Sequence, residues 1–179
     1  MDDLVGKILQ LHADLTTRSI PHAFGGALAL AWCTQRARGT IDIDVNILLA
    51  ASEWEEALKA LPANVKVTRE DRKLLKRDGQ VRVWWDRTPL DLFLNNTDFH
   101  EELQDRIRWE AFGGEQLPFL SCFDLAVFKG FYNRTKDWAD LEEMQSAGTL
   151  DVERVQVALG KYLGFDDERI GKLAQLNPS

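Results

Sequence analysis

Cysteine, histidine and methionine are scarce in this 179-residue chain, which has two, three and two of them. The cysteines and histidines are too scattered for zinc-ligand spacing, so a zinc site is not expected. Cys33 and Cys122 sit in apolar segments and read as reduced, buried thiols of a cytoplasmic protein. Long hydrophobic runs are also missing. The longest stretch without a charge or strongly polar group, residues 23–33, spans 11 positions and includes two glycines. A membrane span needs about 20 apolar residues, so no membrane association is expected. The N-terminal residues lack the basic and apolar regions of a signal peptide. Positive charge is in deficit, 22 Lys and Arg against 29 Asp and Glu, for a net charge of −7. That balance argues against nucleic-acid binding by bulk attraction.

What is present suits a soluble globular chain: 45% hydrophobic and 28% charged residues, enough apolar material for a core. The charge is unevenly placed. Residues 66–87 carry eight basic side chains against four acids, and residues 137–168 carry nine acids against two bases. Each run reads first as a solvated face. If RNA is a partner, the basic run, with Trp84 and Trp85 for stacking, is where it would bind.

Periodicity predicts an amphipathic helix over 2–17, with Leu4, Ile8, Leu11 and Leu15 on one face. A strand at Ile20–Phe24 leads through Gly25-Gly26 into a helix at Ala27–Thr34. Thr40–Leu49 alternates and is β-branched, so it reads as a strand with Ile41, Ile43 and Val45 facing the core. Ser52 and Glu55 suggest a capped helix ended by Pro62. Val65–Thr68, Gln80–Asp86 and Leu90–Asn95 read as strands, the last two joined by a turn at Arg87-Thr88-Pro89. A helix over 98–108 and a hairpin turning at Gly113-Gly114 follow. Beyond Ser121 the pattern is helical throughout. The fold class is therefore α+β: a small mixed sheet with flanking helices over 1–120, then a C-terminal helical region over 121–179.

Asp42 and Asp44 share one face of their strand, roughly 7 Å apart. Two like charges there repel, and bound hard cations would relieve them, carboxylate oxygens being the preferred ligands of divalent ions. A pair of ordinary surface acids is the plainer alternative. A calcium loop is rejected because Ile47 stands where its glycine must be. A sugar-nucleotide glycosyltransferase motif is rejected because too little chain precedes it. Asp91 is the single charge in the Leu90–Leu94 strand, where an acid is costly unless paired or metal-bound. Gly25-Gly26 opens a helix whose N-terminus offers amides to a phosphate. Lys129, Arg134 and Lys136 cluster near a helix junction, with Asp137 and Asp140 on one face. They suit either a triphosphate or ion pairing across the junction.

Taken in order, Gly25-Gly26, Arg38-Gly39-Thr40-Ile41-Asp42-Ile43-Asp44, Leu90-Asp91-Leu92-Phe93, Lys129, and Arg134-x-Lys136-Asp137-x-x-Asp140-Leu141 resemble the nucleotidyltransferase fold of the DNA polymerase β superfamily. The branch they look most like is the AbiEii/AbiGii abortive-infection toxin type. The resemblance covers residues 20–145. It implies that Asp42, Asp44 and Asp91 are catalytic and hold two Mg²⁺ ions. It further implies an NTP bound by Gly25, Gly26, Arg38, Thr40, Lys129, Arg134, Lys136, Asp137 and Asp140. The implied activity moves NMP to an acceptor hydroxyl, on tRNA or another RNA, with a cognate antitoxin as partner. Antibiotic adenylyltransferases share the Gly-Gly-x-Ala-Leu form, which implies a small-molecule acceptor instead. A non-catalytic nucleotide- or antitoxin-binding protein is the third alternative. Many members carry Gly-Ser where this chain has Gly25-Gly26, so phosphate binding would rest on backbone amides.

Overall fold

The computed structural model describes residues 4–37 and 39–176. The described residues divide into two compact units, one of residues 4–28 and 39–119, the other of residues 29–37 and 120–176.

In the first unit the chain runs α1 (Leu4–Thr17), β1 (His22–Phe24), the start of α2 (Gly26–Thr34), β2 (Ile43–Ala50), α3 (Trp54–Lys59) and β3 (Val65–Lys66). It continues through α4 (Arg69–Asp78), β4 (Gln80–Trp85), β5 (Thr88–Asn95), α5 (Asp98–Glu101), β6 (Arg108–Phe112) and β7 (Glu115–Phe119). The seven strands of the described residues join one mixed sheet in the order β3-β4-β5-β2-β1-β7-β6. β2 and β5 run parallel at its centre, and β4 pairs antiparallel with β5. Alternation places β4 with Val81, Val83 and Trp85 buried and with Gln80, Arg82 and Trp84 outward. In β5, Leu90, Leu92 and Leu94 go inward by the same rule and leave Asp91 on the outward face. α1 buries the Ile8, Leu11 and Leu15 stripe that its spacing predicts. Gly113 and Gly114, both at positive φ, turn the β6–β7 hairpin as expected.

Several sequence expectations need correction. β2 begins at Ile43, so Ile41 lies before the strand and is 74% exposed instead of facing the core. The stretch 69–78 reads in sequence only as part of a charge run, yet it forms α4. Thr68 caps that helix by accepting from the Asp71 N–H, Asp71 returns a bond to the Thr68 N–H, and Gly79 closes it at φ +68°. Its basic groups are partly neutralised within the helix by Lys73–Glu70 and Arg77–Asp78 pairs.

The second unit holds the rest of α2 with α6 (Cys122–Tyr132), α7 (Thr135–Ser146), α8 (Val152–Leu163) and α9 (Glu168–Gln175). Its buried core includes Leu125, Leu141, Met144, Val155, Leu159 and Leu173. Cys33 and Cys122 are joined as a disulfide, which overturns the reading of two reduced thiols. Folding sets their Cα atoms 5.6 Å apart across 89 residues of sequence, a proximity that no spacing rule reveals. No helix among the described residues is long and apolar enough to cross a membrane.

Candidate active site

The register of the central strands assembles the acids. Asp44 of β2 stands opposite Asp91 of β5, and Arg82 of β4 stands opposite Asp91 on the other side. Arg82, Asp91 and Asp44 therefore form one rung across three strands, on the outward face of the sheet. Asp42 lies just before β2, where the Thr40 hydroxyl accepts from its N–H and donates to its C=O, both at 3.2 Å.

Arg82 makes a two-pronged contact with Asp91: Nε donates to Oδ1 at 2.7 Å and Nη2 donates to Oδ2 at 2.6 Å. The same Nη2 reaches Asp42 Oδ2 at 3.0 Å. Such forks join charge attraction to a fixed geometry that Lys cannot reproduce. Hydrogen bonding by Asp91 raises the Arg82 pKa above its ordinary value against partial desolvation, and the charges of Asp91 and Asp42 act in the same direction.

Asp44 takes a different position. A Cβ placed on Gly26 would lie 2.0 Å from Asp44 Oδ2, so the carboxylate occupies the space that a side chain at 26 would need. Gly26 is also at φ +52°. Both facts explain why glycine, not serine, stands there in this chain. Gly25 donates its N–H to the Asp44 carbonyl at 2.9 Å, so that amide belongs to the sheet. The amides open to a phosphate at this corner are those of the first turn of α2, from Gly26 onward.

The structure thus brings Asp42 and Asp91 together on one guanidinium and holds Asp44 at the Gly26 corner. Among the described residues no three His, Cys, Asp or Glu side chains converge as a metal-holding group. Arg38 lies outside the described residues. Arg82 is the residue that sequence reasoning missed. It is legible once the turn is placed correctly: a two-residue turn at Asp86-Arg87 pairs Trp85 with Thr88, and counting outward pairs Arg82 with Asp91. The expected three-residue turn at Arg87-Thr88-Pro89 gives another register, with Arg82 opposite Leu94.

The other predicted residues fall in the second unit. Lys129 is buried; its Nζ donates to Asp140 Oδ2 at 2.6 Å and stands 3.8 Å from Asp137 Oδ1. Asp137, fully buried, accepts the Arg134 backbone N–H at the start of α7 and two bonds from the Arg134 guanidinium. Arg134 also lies over the Tyr132 ring. Lys136 is exposed. Lys129, Asp137, Asp140 and Arg134 therefore tie α6 to α7 through ion pairs and a cap.

The fold has counterparts of known structure. The solution structure of the antibiotic-resistance factor ANT(2″)-Ia matches with a TM-score of 0.63 at 18% identity, over 96% of this chain and 95% of that one. An antigenic nucleotidyltransferase-like protein from Paracoccidioides brasiliensis matches at 0.53 and 15%, over 97% and 93%. The lincosamide antibiotic adenylyltransferase LnuA, bound to lincomycin, matches at 0.54 and 13%, over 79% and 96%. No family model and no curated protein matches the sequence. With a mixed sheet, C-terminal helices and a match to ANT(2″)-Ia over 96% of its length, the chain has the nucleotidyltransferase fold.

Proposed function

We propose that the protein transfers a nucleoside monophosphate from an NTP to an acceptor hydroxyl, with Mg²⁺ as its cofactor. The observation that carries this reading is the convergence of Asp42 and Asp91 on a single cationic nitrogen, Arg82 Nη2, in a nucleotidyltransferase fold. Oxygens that can share a guanidinium nitrogen can share a hard divalent ion, and carboxylates are the donors such ions prefer. Asp44, in register with Asp91 but held at the Gly26 corner, would complete the donor set by turning toward the pair. Two ions held by these acids would neutralise phosphate charge and acidify the acceptor hydroxyl.

The chain's own groups have separate tasks. The acceptor oxygen forms a bond to the α-phosphorus while the bond to the bridging oxygen breaks and pyrophosphate leaves. Asp91 takes the acceptor's proton. The first-turn amides of α2, from Gly26, cradle the triphosphate, with Thr40 fixing the backbone at Asp42. The nucleotide-site role of the second-unit motif also stays a proposal, and it divides by exposure. Arg134 and Lys136 offer charge to phosphate, whereas Lys129, Asp137 and Asp140 hold their helices in place.

Two acceptors have support. A small cationic antibiotic suits the acidic chain, and ANT(2″)-Ia has a structure in complex with adenylyl-2″-tobramycin. RNA, with a toxin role and an antitoxin partner, is supported by the AbiEii resemblance and by Trp84, 48% exposed two residues along β4 from Arg82. Trp85, 1% exposed, is excluded from any stacking platform. The test is incubation with each labelled NTP and Mg²⁺ in three arms: total tRNA, an aminoglycoside and a lincosamide. Label on one acceptor with pyrophosphate release, lost in Asp91→Asn, is the expected result. If no arm gains label, and Asp42→Asn and Asp91→Asn bind Mg²⁺–nucleotide as the parent does, the reading fails.

A further inference from the structure

We propose that Arg82 is the resident counter-cation of the Asp42–Asp91 pair, and that a divalent ion gains these carboxylates only by displacing it. The inference rests on the nucleotidyltransferase reading and adds to it a built-in competitor for the metal.

Both carboxylate oxygens of Asp91 are engaged by the Arg82 fork, and Asp42 Oδ2 shares Nη2. An incoming cation therefore meets occupied oxygens and a positive charge. The occupancy has a folding rationale: Asp44 and Asp91 face each other in register on adjacent strands, and like charges so placed destabilise a sheet. Arg82 relieves that repulsion in the metal-free chain.

The same geometry makes Arg82 removable. Its side chain is 49% exposed, while its strand neighbours Val81 and Val83 are anchored in the core. It can swing outward about its own side-chain torsions without disturbing β4. Half-exposed ion pairs are weak, so displacement costs little, and a lysine in its place would keep the charge but lose the fork. The two cations are thus alternatives at one set of oxygens: arginine for the empty sheet, metal for the loaded one.

The test is Mn²⁺ titration, read by calorimetry and by the EPR signal of free Mn²⁺, on the parent, Arg82→Gln, Arg82→Lys, Asp42→Asn and Asp91→Asn. Arg82→Gln should bind Mn²⁺ about two- to fivefold more tightly than the parent, the change expected from removing a weak competing pair. Arg82→Lys separates displacement from simple charge. Under displacement it gains affinity over the parent, because the fork is gone; under through-space repulsion alone it matches the parent. Metal-free Arg82→Gln should melt below the parent, and Mn²⁺ should restore it. In the parent, the Arg82 Nε–H resonance should lose its protection as Mn²⁺ or, for sharper lines, Mg²⁺ is added. Parent binding that depends on Asp42 and Asp91 but is unchanged in both Arg82 variants overturns this inference and leaves the nucleotidyltransferase reading standing. If neither the parent nor Arg82→Gln binds Mn²⁺, both fall.

Discussion

Two aspartate pairs in this protein each hold a basic side chain, and they hold it under opposite conditions. On the sheet of the first unit, Arg82 bridges Asp42 and Asp91 with half of its side chain in solvent. In the second unit, Lys129 bridges Asp140 and Asp137 with its side chain only 10% exposed. The first arrangement can open, because water is ready to solvate both partners once they separate. The second cannot open cheaply, since every separated charge would stay buried. Identical chemistry in the sequence, a base with two acids, thus forms a half-exposed bridge in one place and a buried helix clamp in the other. The second unit also carries the Cys33–Cys122 disulfide, which joins α2 to the start of α6.

The largest effect should come from breaking the buried clamp. Lys129→Met should destabilise the protein by about 3–5 kcal/mol in urea unfolding, because it strands Asp140 without its cation. Adding Asp140→Leu to Lys129→Met should recover much of that loss. A change below about 1 kcal/mol for Lys129→Met would show that the clamp is as exchangeable as the Arg82 bridge.

Acid should act next, through the three histidines, all of which lie in the first unit. Burial lowers His22 to about 4 and His100 to about 4, and it lowers His12 as well. His12 and His22 stand 2.9 Å apart, Nδ1 to Nε2, with His22 Nδ1 on the Ile20 carbonyl. Between pH 6.5 and 4 the unfolded chain binds protons that the folded chain refuses. Stability is therefore full above pH 6.5 and falls as pH drops to 4, by about 3 kcal/mol from His22 alone. Unfolding midpoints across that range check this, and His22→Gln should flatten the slope.

A smaller effect probes the corner that holds Asp44. Gly26→Ala places a Cβ against Asp44 Oδ2 and asks alanine for a positive φ, a backbone cost of about 1–2 kcal/mol. It should lower the melting temperature and weaken NTP binding together. The smallest stability change belongs to the open site. Asp42→Asn, part-exposed, should stay within about 0.5 kcal/mol of the parent in unfolding while losing divalent binding. A large stability loss there would make the Arg82 bridge structural and erase the contrast between the two units.

Much of this was legible locally. Period-two alternation in 80–85 and 88–95 marks which side chains face outward, so Asp91 stands out as the lone acid of its strand. The Gly113-Gly114 hairpin and the α1 stripe are equally local. Helix α4 was legible too, through Thr68, Asp71 and Gly79, but the charge of the segment hid its caps. Arg82 was hidden by the expected three-residue turn at Arg87-Thr88-Pro89, which would set it opposite Leu94 in place of Asp91.

By itself the sequence determined most of the order of elements, the outward placement of Asp91 and the helical character beyond Ser121, because these follow from periods of two and 3.6 residues acting over short distances. Only the tertiary structure decided which charges meet. The Arg82 fork, the seat of Asp44 against Gly26, the burial of Lys129 and the joining of Cys33 to Cys122 all depend on strand register and helix packing. Those are set by contacts between segments far apart in the chain, where no local period reaches.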